Sequence, residues 1–415
     1  MMILFIIISL IFLIDFICNF VNYLYARKLY LNAPIKHKRD DSNMYLIIPV
    51  YKEEKVIKEL IETFRKVASK KIKIVIVATK KEKDNKTYNL AKKYIDNHPD
   101  FILLKYDKET GIMANQLNYA IDYIDTIDSS NYIIGIYNAD SVIKKEHIDF
   151  VRNNIEDNNC IQQYSYFQSN PKAIINDSIK WQNRWSVIFE AGRCNNTLFH
   201  NMNYVIGHGF FIKGKTIKKC GYFSEDTINE DAILGVILNY LDIKIIPMPY
   251  FEMAGFVLKV KDYIRQQSSW WNGPKHAFKY FRMILHNQDN NQYKRDIYDG
   301  KFIKLFVICF KLFLHAIYWI SGIYVLLFLY GFLSYKLFGW IGLIGVILLN
   351  YMNLELWDYL SYRIIKKSTK DESLKYYFFK MPLTFYFIHS LGPILNIIKS
   401  ITGTNTINKK YKTER

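Results

Sequence analysis

The chain is short of acids relative to bases. Its 415 residues hold 38 Asp and Glu against 56 Lys and Arg, a formal net charge of +18. Such an excess suits anionic lipid headgroups, a nucleotide or a nucleic acid. No RNA- or DNA-reading motif is present, and the bases gather beside apolar runs and on helices, so nucleic acid is not the expected partner. Cysteine is scarce: Cys18, Cys160, Cys194, Cys220 and Cys309 make an odd set of five. None are spaced Cys-x-x-Cys, which argues against a disulfide framework or zinc site. Cys18 and Cys309 lie in apolar runs and read as small core hydrophobes. A reducing, cytoplasmic setting fits. No internal repeat or low-complexity tract is visible. The N-terminus has neither a basic n-region nor a small-residue cleavage site, so a signal peptide is not expected.

What is present is apolar residues, 50% of the chain, with the long apolar runs in two separate regions. Residues 1–26, "MMILFIIISLIFLIDFICNFVNYLYA", are long enough to cross a ~30 Å hydrocarbon layer as a helix. Arg27, Lys28, Lys36, Lys38 and Arg39 follow, which places the next segment in the cytoplasm. Asp15 inside the run is a candidate functional acid or a headgroup contact. After residue 300 the chain turns apolar again. Residues 302–360 are expected to form two transmembrane helices, the first over 302–333 and the second over 339–360. Residues 375–403 carry Pro382, His389 and Pro393 between two basic flanks, so a re-entrant or interfacial helix is expected there, a fourth span being the alternative. A basic cytoplasmic tail, 404–415, closes the chain. The implied location is the plasma (inner) membrane, multi-pass, with membrane lipids as partners.

Between 40 and 258 strand-like and helix-like periods alternate. "MYLIIPVY", "IKIVIVAT", "FILLKY" and "YIIGIYNAD" read as strands. "KEEKVIKELIETFRKVA", "NKTYNLAKKYIDN" and "GIMANQLNYAIDYID" read as helices. This order predicts an α/β domain with a mostly parallel, Rossmann-like sheet and right-handed crossovers. Open α/β sheets hold ligands at the strands' C-terminal ends. That singles out Pro49, Tyr51 and Glu53 after the first strand and Asn138 and Asp140 in "YNADS". A hard divalent cation such as Mg²⁺ uses one or two carboxylates, phosphate oxygens and water, and Asp140 offers one carboxylate. Alone, "YNADS" reads as a turn.

Other candidates follow along the chain. Asn115, Gln116 and Asn118 cluster near a helix start, where phosphate or ribose is met. Two glycines, one of them Gly209, flank His208 in "VIGHGFF", which implies a tight turn or a close backbone approach. Glu230 and Asp231 precede an apolar helix, as a cap or as a general base. "IRQQSSWWNG" in the segment 259–300 sets Arg265, Gln266 and Trp270 together, suited to sugar stacking and phosphate contact. Interfacial aromatic anchoring would leave the same pattern. "KWQNRWSVIFEAGR" reads as a long interface or acceptor helix, with Trp181, Arg184 and Trp185 packing at a membrane-facing groove.

The order of these motifs is more informative than any one of them. Pro-Val-Tyr-x-Glu, Gly…Ala-Asn-x-Leu-Asn, x-Ala-Asp, Gly-x-Gly, Glu-Asp and Gln-x-x-x-Trp run in series between an anchor and an apolar C-terminal part. The chain resembles the membrane-bound family 2 glycosyltransferases, the group of cellulose, chitin and hyaluronan synthases and ceramide glucosyltransferase. The resemblance implies a GT-A fold, a nucleotide-sugar donor, Mg²⁺ or Mn²⁺, and inversion at the anomeric carbon. It makes Asp140 the metal ligand and Asp231 the catalytic base, with Glu230 beside it. Pro49, Tyr51, Glu53, Asn115, Asn118, Asn138, Arg265 and Gln266 fall on the donor side, and Trp270, His208 and Gly209 on the acceptor side. Three positions depart from the family pattern. Ile112 stands where a Lys is usual, and Ser269 where an Arg is. Thr79, with Glu82 only later, replaces an Asp pair. Arg265, Lys275 or His276 is expected to restore the lost positive charge.

The implied product is a growing polysaccharide made from a nucleotide-diphosphate sugar, with a UDP-sugar as the expected donor. Transfer of one sugar to a lipid or short glycan is the alternative, and a degenerate nucleotide-sugar-binding protein a third reading.

Overall fold

The computed structural model describes residues 1–32, 39–168, 176–196, 204–257, 259–286, 297–321, 324–378 and 382–402. A long helix, α1 (Met2–Leu31), leads into alternating strands and helices. These are β1 (Met44–Pro49), α2 (Ile57–Arg65), β2 (Ile72–Thr79), α3 (Lys86–Ile95), β3 (Phe101–Tyr106), α4 (Met113–Ile127), β4 (Ile133–Ile136) and α5 (Lys145–Asn154). Next come β5 (Asn159–Gln162), β6 (Ser165–Phe167) and α6 (Asn176–Arg184). A π-helical segment (Trp185–Gly192) carries α6 on into the short α7 (Arg193–Asn195). The sheet region ends with β7 (Phe210–Lys213), α8 (Gly214–Lys219), α9 (Glu230–Tyr240), β8 (Lys244–Pro247) and β9 (Glu252–Ala254). Helices α10 (Val260–Lys275), α11 (Ala277–Leu285), α12 (Phe302–Ser321), α13 (Tyr324–Thr369) and α14 (Pro382–Ile401) follow.

The main sheet has seven strands in the order β3-β2-β1-β4-β7-β5-β8. β3, β2, β1 and β4 are mutually parallel, and β7 runs against both β4 and β5. β6 and β9 form a separate parallel pair. β1 is nearly continuous in apolar residues because both sides of the sheet are covered. Tyr45 and Ile47 face the layer of α4, α9, α11 and α12, while Met44, Leu46 and Ile48 face α2, α3 and α5. In α2 the buried residues Ile57, Leu60, Ile61 and Phe64 keep helical spacing, so one stripe meets the sheet.

The parallel α/β expectation holds, and the element ends are corrected. The helix expected through Lys52–Ala68 is confined to Ile57–Arg65, and the fourth strand stops at Ile136. In the apolar run expected as one helix over 302–333, α12 and the start of α13 are helical, and residues 322–323 lie outside the described residues. Gly339 breaks α13 with φ 62° and ψ −153°, a conformation open to glycine. Among the described residues three helices, Met2–Leu31, Phe302–Ile320 and Leu327–Thr369, are long and apolar enough to cross a membrane. α14 is not one of them, and it packs along α10: a Cβ on Gly392 would lie 2.5 Å from the Gln267 Cβ. Asn396 donates to the Ser268 carbonyl at 2.8 Å. Lys36, Lys38 and the tail 404–415 lie outside the described residues.

α1 does not stand apart from the sheet domain. Asn19, Asn22, Ala26 and Tyr30 form its buried stripe. Gly192 lies so close to α1 that an added Cβ would be 2.5 Å from the Asn22 carbonyl oxygen. The segment 180–193, expected as a long interface or acceptor helix, is helical, and Trp181, Arg184 and Trp185 are buried in it. Arg184 faces Asp358 of α13 at 3.4 Å.

Candidate active site

Parallel strands β1, β2 and β4 deliver their C-terminal ends to one edge of the sheet. β1 ends in Pro49, which pairs in register with Val77, and the Val50 N–H after it still donates to the Val77 carbonyl at 2.9 Å. Tyr51 and Glu53 follow in a half-buried loop. Buried Glu82 holds that loop by accepting from the Lys52 N–H at 2.9 Å. The same carboxylate accepts from the Thr87 N–H and hydroxyl, and Thr87 Oγ1 accepts from the Glu53 N–H. The late acid of "VATKKEKD" is therefore a loop anchor.

β4 ends at Ile136, opposite Phe210, the first residue of antiparallel β7. This register sets "YNADS" beside the "GHG" loop. The Asn138 N–H donates to Ser141 Oγ at 3.1 Å and the Ser141 N–H to the Asn138 carbonyl at 3.2 Å. The turn buries Ala139 and Ser141 and leaves Asn138 and Asp140 half-exposed at the edge.

Gly207 brings the loop to the acid pair. A Cβ there would lie 3.4 Å from Asp231 Oδ2 and 3.6 Å from Glu230 Oε1. Both acids occupy the first turn of α9, where the helix dipole favours negative charge. Glu230 is buried and Asp231 half-exposed, above a cleft walled by Leu117, Ile136, Val205, Phe210 and Leu234. Asp231 Oδ1 accepts from the Ala232 N–H at 2.8 Å. Gly273 docks α10 on this turn: a Cβ there would lie 3.1 Å from Ala232 Cβ. Asn229 Nδ2 donates to the Ser269 carbonyl at 3.3 Å. Trp270 on α10 stays 38% exposed, as an aromatic platform requires. Gln266 is half-buried, and among the described residues no donor reaches its Oε1.

Sequence reasoning missed the residues that hold the "GHG" loop. Gln162 Nε2 donates to the carbonyls of Gln163, His208 and Gly209, and its Oε1 accepts from the Ile206 N–H. Buried Glu252 accepts from His208 Nδ1 at 3.2 Å. Gly209 needs φ +60°, and a Cβ there would lie 2.9 Å from the Gln163 carbonyl oxygen. Only the glycine signal is local. The Gln162 and Glu252 contacts join segments far apart in the chain.

Several polar candidates have partners within the protein. Asn118 is buried and its amide is committed: Nδ2 donates to the Phe223 carbonyl and Glu225 Oε1, and Oδ1 accepts from the Phe223 N–H. It clips the loop before the acids in place. Asn115 uses its Oδ1 to accept from the Ile112 N–H at 2.8 Å, which caps α4. Lys275 does not reach the site, because its Nζ donates to Asn396 and Ser400 of α14. Burial, with Lys275 and Lys279 nearby, lowers His276 to about 4, so it carries no charge near neutral pH. Arg265 faces Asp262 at 3.6 Å on the same helix. Beside Ile112, Lys81 Nζ donates to the Gly111 carbonyl at 3.2 Å.

The donor set limits how a metal is held. Among the described residues no group of three or more His, Cys, Asp or Glu could hold an ion. One half-exposed carboxylate, Asp140, fits a hard cation that draws its other ligands from a diphosphate and water. It does not make a closed protein cage.

Residues 45–221 match the family model described as "Glycosyl transferase family 2". No curated protein gives a significant match. Among solved structures the chain is similar to "Mannosyltransferase PcManGT from Pyrobaculum calidifontis in complex with GDP-Man and Mn2+". That likeness has a TM-score of 0.53 at 14% identity and covers 95% of this chain and 99% of that one. The fold is therefore GT-A, and the segment 45–221 within it matches glycosyltransferase family 2.

Proposed function

We propose that this protein is a membrane-integrated, inverting glycosyltransferase that moves a sugar from a nucleotide-diphosphate donor, a UDP-sugar, onto a growing polysaccharide. The observation that supports this reading most is that Glu230 and Asp231 lie against Gly207 of the loop before β7, that β7 pairs with β4 just ahead of Asp140, and that the Trp270 helix docks on the same acids. The family match supports sugar transfer, and the mannosyltransferase neighbour, solved with GDP-Man and Mn²⁺, supports a nucleotide-linked donor on this fold.

Asp231 takes the proton from the acceptor hydroxyl as that oxygen attacks the anomeric carbon. Its seat in the first turn of α9 puts its carboxylate where the helix dipole favours negative charge. Buried Glu230 and the clipped loop before it fix Asp231 in place. Trp270 stacks the acceptor sugar, and Gln266 offers its buried Oε1 to a ligand hydroxyl. Asn138 hydrogen-bonds a ribose hydroxyl, and Asp140 holds Mg²⁺ or Mn²⁺. When bound, that ion stabilises the charge on the leaving diphosphate as a Lewis acid. The catalytic edge lies on the cytoplasmic side, and α1, α12 and the second half of α13 are the spans, with α14 lying against α10 at the interface.

The test uses purified, detergent-solubilised protein. A panel of labelled nucleotide sugars is assayed with and without Mn²⁺ or Mg²⁺, for released nucleoside diphosphate and for product size. Asp231→Asn is expected to lower turnover by about 10²–10⁴-fold with donor affinity kept. Unchanged transfer would remove the base assignment. A long product supports the polymer reading, and a product lengthened by one sugar overturns it in favour of single transfer.

A further inference from the structure

Two glycines flank His208, and each brings the loop against an acid. Gly207 lies on Glu230 and Asp231. A Cβ on Gly209 would stand 2.9 Å from the Gln163 carbonyl oxygen and 3.4 Å from Glu252 Oε2. Glu252 belongs to β9, where its N–H donates to the Tyr164 carbonyl at 3.0 Å. Its side chain is 2% exposed, and His208 Nδ1 lies 3.2 Å from its Oε2. Among the described residues that imidazole is its one hydrogen-bonding side chain, and no Lys or Arg pairs with it.

A carboxylate shut away from water is costly unless a cation meets it, and a protonated imidazole is the cation within reach. Glu190 of the π-helical segment also acts on His208 across the same buried space. The remaining groups around the ring are neutral or acidic. Tyr204 donates to Glu190, Gln162 donates to the His208 carbonyl, Tyr137 donates to Gln163, and the acid pair meets Gly207. Every charged neighbour named is an acid, which favours the imidazolium. Fixing Nδ1 on Glu252 turns the opposite edge of the ring, with Nε2, away from that carboxylate. The His208 side chain keeps 18% exposure, and Gly207 before it meets Asp231, the acid that faces the acceptor in the proposed reaction. We infer that Glu252 is a positioning residue: it holds His208 as an imidazolium whose Nε2–H donates to a non-reacting hydroxyl of the acceptor sugar. The acceptor contact rests on the transferase reading; the Glu252–His208 pair does not.

The experiment joins a spectroscopic titration to kinetics on the full chain in detergent. Nitrogen NMR of histidine-labelled protein reads the charge, with His208→Gln identifying its signal among the nine histidines and thermal unfolding checking that each variant folds. Wild-type His208 is expected to show the imidazolium signature near neutral pH, and Glu252→Gln to lose it at least about one pH unit lower. Turnover is read as nucleoside diphosphate released from the nucleotide sugar that the donor panel selects. Glu252→Gln is expected to lower kcat about tenfold at about pH 8, to recover towards about pH 6, and to leave the donor KM within about twofold. Glu190 itself titrates near 7, so the profile is repeated in a Glu190→Gln background. A neutral His208 in the wild type, or a titration unmoved by Glu252→Gln, overturns the inference. A raised donor KM with kcat kept would put the ring on the donor and overturn it too. Wild-type protein that turns over no nucleotide sugar removes the transferase reading and the acceptor contact with it, while the titration still decides the Glu252–His208 pair.

Discussion

Asp140 and Asn138 sit in one turn at the end of β4 and share a half-exposed setting. Their chemistry differs, because a carboxylate binds a hard cation and an amide is suited to a sugar hydroxyl. Asp140→Ala is therefore expected to cut transfer by at least about a hundredfold, and added Mn²⁺ should not recover it. Asn138→Asp is expected to keep or raise activity. Titrating metal against initial rate for both variants checks the pair. Glu190 makes a second residue-scale prediction. Burial raises its carboxyl to about 7, with Tyr204 donating to Oε1 as an opposing influence. A folded pKa above the unfolded value means stability is fully present below the unfolded pKa, about 4.5, and is lost as pH rises through about 7. Unfolding midpoints should fall for wild type across that window, and Glu190→Gln should flatten the fall.

At the scale of elements, the site depends on close helix contacts made through glycine. Gly273 lets α10 lie against the first turn of α9 with 3.1 Å between a would-be Cβ and Ala232. Gly273→Leu is expected to push Trp270 away from Asp231 and to lower kcat by about a hundredfold. Nucleoside diphosphate affinity should stay within about twofold of wild type. Calorimetry beside steady-state kinetics separates the two. The strands and helices around this contact were legible because their periods of 2 and 3.6 repeat within a few residues. The docking was not, since Gly273 meets Ala232 across more than forty positions of sequence.

The whole molecule joins its apolar helices to the sheet domain through buried polar contacts. Arg184 and Asp358 are both buried and face each other at 3.4 Å. Lys180 lies 3.6 Å from Glu355 on the same face of α13. Removing one member of such a pair strands a charge away from water. Asp358→Ala is expected to cost about 3–5 kcal/mol, seen as a lower unfolding midpoint in detergent. Replacing both residues, Arg184→Met with Asp358→Leu, should recover most of it.

The sequence by itself determined the parallel α/β alternation, the long apolar helices, and the placing of Pro49, Tyr51, Asn138 and Asp140 just at or past strand ends. Each of these is written in periodicity or in a local motif, and backbone hydrogen bonding converts such patterns directly into elements. Tertiary structure alone decided which polar side chains point where. It spent Asn118 on Phe223 and Glu225, drew Lys275 to α14, and left His276 neutral. It also brought Lys81 to Gly111 and Glu252 to His208. A buried polar atom takes whichever partner the packed chain brings within about 3 Å, and nothing in the residues next to it in sequence specifies that partner.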